Sequence, residues 1–485
     1  MSIRRHSFYN LTGSLASIAV TLITVPIYLR LIGTERYGVL VIVWIFLGYF
    51  GMFDLGLGRA TAQQIASLHQ AEPDVRAGVF WTALMLNTVL GVVGGVLLWP
   101  AAHYLFTTHF KITEALRLEV LSVIPWLAAA VPVATISGVL VGALQGREKF
   151  LALNASNVLG GVLYQVLPLS VAWLHGPDLG WLVPAALLGR VAVFLLLFTQ
   201  CRRHVPLTMA PSVRRDLVTS LFRYGGWVTI TSVISPLLTT LDRFLIGSIS
   251  GAKAVTYYTL PSSLASRVSI LPASLAETLF PRFSATSEIE AHRLTKEAVC
   301  ALSVILTPII IAGILIMGPF LMWWVGPEVA RNASMVGEII ALGLWFNGHA
   351  YIPAAQLQAQ GRPDLLAKCH LAEILPYLVL LVLALRGWGV VGAAFAWSMR
   401  MTVDAILLFW IARNAPFGLT THLPPLLLLA MATVAAFVFP IGSGYRWALG
   451  LGSLLGALAW AWWAAPDSVK RMIRDGYQFI LNSRS

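Results

Sequence analysis

Residues 11–31 read LTGSLASIAVTLITVPIYLRL, an apolar run whose one charged residue, Arg30, stands next to its end. About 20 such residues in a helix cover the roughly 30 Å hydrocarbon core of a bilayer. Arg4 and Arg5 precede the run, as in a secretory signal, but no small-residue cleavage site follows and a second apolar run begins at Tyr37. The stretch therefore predicts a retained first transmembrane helix.

The composition extends this interpretation to the whole chain. Of the 485 residues, 58% are hydrophobic and only 11% are charged, and the mean hydropathy is +0.78. Soluble domains are about 45 to 50% apolar and about 25% charged. We therefore expect an all-α integral membrane protein without a sizeable soluble domain.

The net charge of +12 is better explained by topology than by nucleic-acid binding. The Lys and Arg residues fall in short segments between apolar runs and form no continuous basic face, so no nucleic-acid partner is expected. Cys201, Cys300 and Cys369 are scattered without C-x-x-C spacing, which argues against a disulfide framework or a metal site.

Hydropathy along the chain predicts about 14 transmembrane helices. The predicted spans are residues 11–31, 37–57, 78–99, 118–144, 154–174, 180–200, 224–249, 255–283, 298–325, 335–358, 368–385, 389–411, 423–440 and 446–465. The span at 255–283 is the weakest prediction because it contains Arg267, Pro272 and Glu277.

Short motifs recur in the chain at an offset of about 215 residues. The tripeptide LIG at 31–33 recurs at 245–247, and QGR at 145–147 recurs at 360–362. Each pair falls at the same ordinal place in a set of six spans. An even number of spans per half gives two parallel halves, the arrangement of many transporters, with the substrate path between them.

The repeat predicts four segments. They are an N-terminal six-helix half at 1–203, a basic linker at 204–223, a C-terminal six-helix half at 224–414, and two additional helices with a basic tail at 415–485. Because Lys and Arg concentrate on the side that holds both ends of the chain, we expect both termini to be cytoplasmic.

Polar residues follow one face of the first span and of its counterpart in the second half. Steps of three and four residues place them on one side of a helix. Such a face either lines an aqueous cavity or lets helices pack closely in lipid. The face comprises Asn10, Ser14, Ser17, Thr21 and Thr24 in the first span, and Thr229, Ser232 and Thr239 in its counterpart.

Arg190, Arg243, Arg267 and Arg400 lie at membrane depth, where a charge must be paired or wetted. The planar guanidinium binds oxyanions in a bidentate manner, so these residues are candidates for binding an anionic head group. For Arg190 and Arg400 a structural role between helices is an equal alternative, and Asp404 lies one turn from Arg400. For Arg243 and Arg267 the polar spans favour a cavity.

Five other ionisable residues complete these predictions. Asp404 and His349 are candidates for coupling transport to a proton or sodium gradient. Glu277 and Glu373 are expected near the interface, and Asp242 is expected to point away from the neighbouring Arg243. The sequence contains no P-loop, nucleophile triad or metal-ligand cluster, which favours secondary transport over an enzyme.

Several of these motifs resemble a known family. They are PIYLRLIG at 26–33, ERYG at 35–38, DLGLGRAT at 54–61, GALQG at 142–146 and QAQGRP at 358–363. Together they are similar to the polysaccharide flippases of the MOP superfamily, in its Wzx-like branch, over nearly the whole chain.

The resemblance implies a flippase of the bacterial cytoplasmic membrane. Its substrate would be a polyprenyl-pyrophosphate-linked oligosaccharide, moved from the inner to the outer leaflet by alternating access. Membrane lipids and polysaccharide polymerase or chain-length proteins are the implied partners. The extra helix pair resembles instead the 14-span peptidoglycan-lipid flippases. A lipid or drug exporter of the same superfamily and a non-transporting scaffold of a glycan assembly complex therefore stay as alternatives.

Overall fold

The computed structural model describes residues 3–49, 54–68, 73–205, 217–218, 240–413, 419–466 and 470; the side chains of residues 3–17, 49, 73 and 419–422 lie outside that description. Every element in these ranges is helical, as expected. Within the described ranges, eight helices are long and apolar enough to cross a membrane. The chain is therefore an all-α, multi-pass membrane protein.

Thirteen α helices lie within the described ranges. They are α1 (Ile3–Tyr49), α2 (Leu57–Ser67), α3 (Pro73–Thr108), α4 (Glu114–Gly146), α5 (Phe150–His175), α6 (Leu179–His204), α7 (Ala252–Ala265), α8 (Ile270–Ala285), α9 (Glu288–Val325), α10 (Pro327–Ala359), α11 (Pro363–Ile411), α12 (Leu419–Val438) and α13 (Gly444–Ala464). Residues 240–249 are also helical.

Helices α1 and α11 are each bent at a glycine. Gly33 has φ 78° and ψ 168°, and Gly389 has φ 56° and ψ −139°. Residues with a Cβ rarely adopt such conformations. Each helix therefore consists of two arms. Gly33 lies between the predicted spans 11–31 and 37–57, and Gly389 is the first residue of the predicted span 389–411, so each bend falls at a predicted span boundary.

The predicted span at 255–283 is interrupted in its middle. Helix α7 ends at Ala265, a 3₁₀ turn occupies Ser266–Ser269, and α8 begins at Ile270. Pro272 has no N–H and cannot bond to the carbonyl four residues earlier, which helps to explain the break. The interruption places Arg267 on a tight turn.

Met1–Thr256 forms one compact unit, called unit 1. In unit 1 the motifs at 35–38 and 54–61 form hydrogen bonds at the ends of helices. Arg36 forms a bidentate pair with Glu119, with N–O distances of 3.0 and 2.6 Å. Glu119 also accepts a hydrogen bond from the backbone N–H of Leu179. The bend of α1 is thereby tied to the starts of α4 and α6.

The motif DLGLGRAT at 54–61 stabilises the start of a helix in unit 1. The carboxylate of Asp54 accepts hydrogen bonds from the backbone N–H groups of Gly56 at 2.7 Å and Gly58 at 3.3 Å. Gly56 is the residue before α2 and Gly58 lies in its first turn, where helical N–H groups lack intrahelical partners. Asp54 therefore caps α2.

Tyr257–Ser485 forms a second compact unit, called unit 2. In it the last helix is held by a buried ion pair, with 2.8 Å between Arg446 Nη2 and Glu338 Oε1. Arg446 Nη1 also donates to the carbonyl oxygen of Ala436, near the end of α12. One guanidinium thus joins α10, α12 and α13.

The four predicted segments stay a prediction. The linker at 204–223 lies mostly outside the described residues, as do most residues of the predicted span 224–249. Residues 240–256, which the prediction assigns to the second half, are grouped with unit 1.

Candidate functional site

The bend of α11 brings two charged residues together. Arg400 Nε, on the arm after Gly389, lies 3.3 Å from Glu373 Oε2 on the arm before it. Both side chains are buried, at 8% and 5% exposed. The sequence interpretation did not foresee that the Glu373 carboxylate is buried against the guanidinium. That Glu277 and Glu373 lie near the membrane interface stays a prediction.

A second carboxylate belongs to the same cluster. Potential ligand atoms of Cys369, Glu373 and Asp404 all lie within 4.8 Å of one another. The Cys369 thiol donates to Glu373 at 3.5 Å, and His370 Nε2 lies 3.4 Å from Asp404 Oδ1. The cluster contains two carboxylates and one guanidinium, which leaves one formal negative charge, and this charge suits a proton or a monovalent cation.

A cavity of about 530 Å³ adjoins this cluster within unit 2. Its volume falls in the range of about 300 to 1,000 Å³ that is usual for small-molecule sites. Helices α8, α10 and both arms of α11 form its wall, and Asp404 belongs both to the wall and to the buried cluster. The described polar residues of the wall are Glu277, Asn347, Tyr351, Gln358, His370 and Asp404.

The predicted arginines occupy four different environments. Arg190 donates to the backbone oxygen of Leu47, and Arg400 binds Glu373. Arg267 is exposed on the 3₁₀ turn. Arg190 and Arg243 belong to unit 1, and Arg267 and Arg400 belong to unit 2.

Arg243 has a partner that the sequence interpretation missed. Its Nη1 lies 3.1 Å from Oδ1 of Asp242, which is 1% exposed. The expectation that Asp242 points elsewhere is wrong, because the flexible guanidinium reaches back to the adjacent carboxylate.

Part of the predicted polar face of α1 contacts α5. The Gln165 amide donates to the Thr21 hydroxyl at 2.9 Å, and the Thr24 hydroxyl donates to Gln165 Oε1 at 2.6 Å. These bonds join helices, which is the packing role that polar residues have in lipid. The other members, Asn10, Ser14, Ser17, Thr229, Ser232 and Thr239, lie outside the described side chains, so the lumen face stays a prediction.

His349 is fully buried between α9 and α10. Its Nε2 lies 2.8 Å from the Ser303 hydroxyl and its Nδ1 lies 2.6 Å from the backbone oxygen of Trp345. A neutral ring, which has one donor and one acceptor nitrogen, satisfies both contacts.

Sequence reasoning missed Glu373, Cys369 and His370 as members of the site. The sequence held a signal for Glu373. A mid-span Arg400 requires a carboxylate within reach of its side chain, and the predicted spans contain few carboxylates. Asp404 was preferred because local spacing favoured it, whereas the bend at Gly389 selects Glu373.

Solved structures define the class of fold. The inward-facing conformation of a multidrug resistance MATE family transporter of the MOP superfamily matches with a TM-score of 0.69 and 18% identity, covering 81% of this chain and 94% of that one. The lipid II flippase MurJ in an inward closed conformation matches with a TM-score of 0.73 and 12% identity, covering 96% and 99%. The chain therefore has the fold of the MOP superfamily transporters.

The family follows from the sequence comparison. The model of the family described as polysaccharide biosynthesis protein matches residues 3–287, more than half of the chain, and the protein belongs to this family. A putative O-antigen transporter of Shigella flexneri is 28% identical over 412 residues, covering 85% of this chain and 98% of that protein. The probable flippase AglR of Haloferax volcanii is 21% identical, covering 61% of each. The resemblance seen in the motifs is confirmed.

Replacing Arg400 with Gln should destabilise the protein. The substitution leaves Glu373 buried without its cation, and breaking a buried ion pair from one side costs about 3 to 5 kcal/mol. Thermal and denaturant unfolding of the purified protein in detergent measures this loss. Arg386→Gln, at an exposed position on the same helix, should change the unfolding free energy by less than about 0.5 kcal/mol. Equal effects of the two substitutions would contradict the pairing.

Proposed function

We propose that this protein is a flippase for a polyprenyl-pyrophosphate-linked oligosaccharide. It would move this lipid from the inner to the outer leaflet of the bacterial cytoplasmic membrane for cell-surface polysaccharide biosynthesis. Family membership and the similarity to a putative O-antigen transporter support the proposal. A polysaccharide polymerase and chain-length proteins are the proposed partners downstream.

The observation that carries the substrate class is the position of Arg267. It is exposed on a 3₁₀ turn between two helical segments of one predicted span. A cation at membrane depth is costly unless water or an anion meets it. A pyrophosphate is such an anion, and the planar guanidinium binds it with two hydrogen bonds. We propose that Arg190 adds to the positive potential on the substrate path. Arg243 and Arg400 are paired with Asp242 and Glu373 and would bind the substrate only when these pairs open.

Transport would proceed by alternating access of two parallel six-helix halves, about 14 helices in all, with both termini in the cytoplasm. Contacts within unit 1 support a closed gate at the bend of α1. The Thr256 hydroxyl donates to the Thr34 carbonyl at 2.8 Å. A Cβ added to Gly38 would lie 2.0 Å from the Ala252 carbonyl oxygen. The two segments thus approach each other as closely as their backbones allow.

A proton or sodium gradient would drive the cycle. The buried cluster of Cys369, Glu373, Arg400 and Asp404 is the proposed coupling site, and His349 is a weaker candidate. Asp404 both belongs to this cluster and lines the cavity, so a cation that enters the cavity can reach the shared charge. Uptake of the cation, or separation of Arg400 from Glu373, would then weaken the ion pair that connects the two arms of α11.

A peptidoglycan-lipid flippase is the second candidate. The similarity in fold to MurJ, which extends over 96% of this chain, supports it. The C-terminal pair α12 and α13 fits this reading as well.

Arg267→Gln should reduce flipping at least about tenfold while membrane insertion stays intact, because the neutral amide cannot replace the charge that binds pyrophosphate. The assay uses liposomes and measures protection of a polyprenyl-pyrophosphate-linked oligosaccharide from an external glycan-modifying enzyme. Arg282→Gln, exposed on α8, serves as control. Full activity of Arg267→Gln, or movement of lipid II but not of the oligosaccharide lipid, would overturn the proposal.

Gly38→Ala should also reduce flipping, because the new Cβ cannot fit against the Ala252 carbonyl and the gate cannot close. Overpacking of this kind costs about 1 to 3 kcal/mol. Gly48→Ala on the same helix adds a Cβ with nothing within 4 Å and should retain wild-type transport. Equal rates for the two variants in the liposome assay would refute the gate.

Asp404→Asn should abolish the stimulation of flipping by an imposed proton or sodium gradient but leave slow downhill movement. The amide keeps the shape of the side chain and cannot take up a cation as a carboxylate does. The matched control is Asp364→Asn, since Asp364 is 58% exposed on the same helix. Unchanged stimulation in Asp404→Asn would place coupling elsewhere.

A further inference from the structure

The cavity of unit 2 has the chemistry of a sugar site rather than of an anion site. Among its described lining residues none is Lys or Arg, whereas Glu277 and Asp404 contribute carboxylates and Asn347 contributes an amide. Carboxylates and amides accept hydrogen bonds from hydroxyl groups. Phe280 and Tyr351 add aromatic surface to the wall.

The same cavity lies next to the turn that carries Arg267. The turn Ser266–Ser269 packs against α10, which carries Tyr351, and Ala273 in the first turn of α8 lines the cavity together with Tyr351. Ser269 closes the 3₁₀ turn, two residues after Arg267. A group held at the cavity and a pyrophosphate held at the turn would therefore be near neighbours, as are the first sugar and the pyrophosphate of a glycolipid.

We infer that this cavity binds the sugar nearest the pyrophosphate, and that it selects a sugar without an acid group. The inference rests on the proposed flippase function and adds the class of glycan to it. A uronic acid in the cavity would bring a third carboxylate beside Glu277 and Asp404, and like charges brought together in an interface are strongly unfavourable. A neutral hexose would instead donate its hydroxyl hydrogens to the same groups.

The experiment compares two synthetic probes in liposomes. Both are polyprenyl-pyrophosphate-linked disaccharides that end in galactose, and they differ in the lipid-linked sugar, which is glucose in one and glucuronic acid in the other. An external galactosidase acts on the shared terminal sugar, so it reports movement of both probes in the same way. Wild type should flip the glucose probe at least about tenfold faster.

Glu277→Gln should lower the ratio of the two flipping rates, glucose probe over glucuronic acid probe, because it raises the rate of the glucuronic acid probe. Glu277 is exposed, so its amide should not disturb folding, which is checked by the elution volume and the helical circular dichroism. The control is Glu288→Gln, because Glu288 is exposed at the start of α9 and does not line the cavity. It should keep the wild-type ratio.

The outcomes distinguish failure of the sugar subsite from failure of the flippase function. Equal rates for both probes in wild type, or an unchanged ratio in Glu277→Gln, overturn the sugar subsite while the flippase function stands. Movement of neither probe under any imposed gradient overturns the flippase function and the subsite with it. A preference for glucose that Glu277→Gln narrows and Glu288→Gln preserves supports the inference.

Discussion

A charge inside a bilayer needs a partner, and in this protein the partners join separate helices or the two arms of one bent helix. Arg446 binds Glu338 in unit 2, and Arg400 binds Glu373 across the bend of α11. Removing either partner would leave the other charge uncompensated, at a cost of several kcal/mol. These pairs therefore fix which helices must stay in contact.

The pairs depend in turn on where the backbone can bend. Hydrocarbon offers no hydrogen bonds to an unpaired peptide group, so membrane helices run unbroken unless a residue permits a sharp change of direction. Gly33 and Gly389 permit it through positive φ angles. The bend at Gly389 folds the two arms of α11 together, and without it Glu373 and Arg400 could not meet. Arg267 is the contrasting case, since it lies on a break and is exposed.

Local patterns predicted the all-helical, membrane-spanning class correctly, and the count of about 14 spans stays a prediction. Apolar length is a property of consecutive residues, and Gly389 was the predicted first residue of a span because hydropathy changes there. The irregular composition of 255–283 marked the segment that proved to be interrupted. The prediction that Asp242 points away from Arg243 was wrong, and the preference for Asp404 over Glu373 as the partner of Arg400 missed the observed pair. Both relied on position along one helix, whereas pairing depends on the reach of the side chain and on neighbouring helices.

The sequence by itself determined that this is a multi-pass helical protein of the polysaccharide biosynthesis family, because hydropathy and motifs are written in consecutive residues. Only the tertiary structure decided how the ionisable residues are used. In it Arg400 forms an ion pair, Arg267 is exposed on a turn, and Asp404 lines a cavity. The physical reason is that desolvation and partner distance set the role of a charge at membrane depth, and both arise when separate helices pack together.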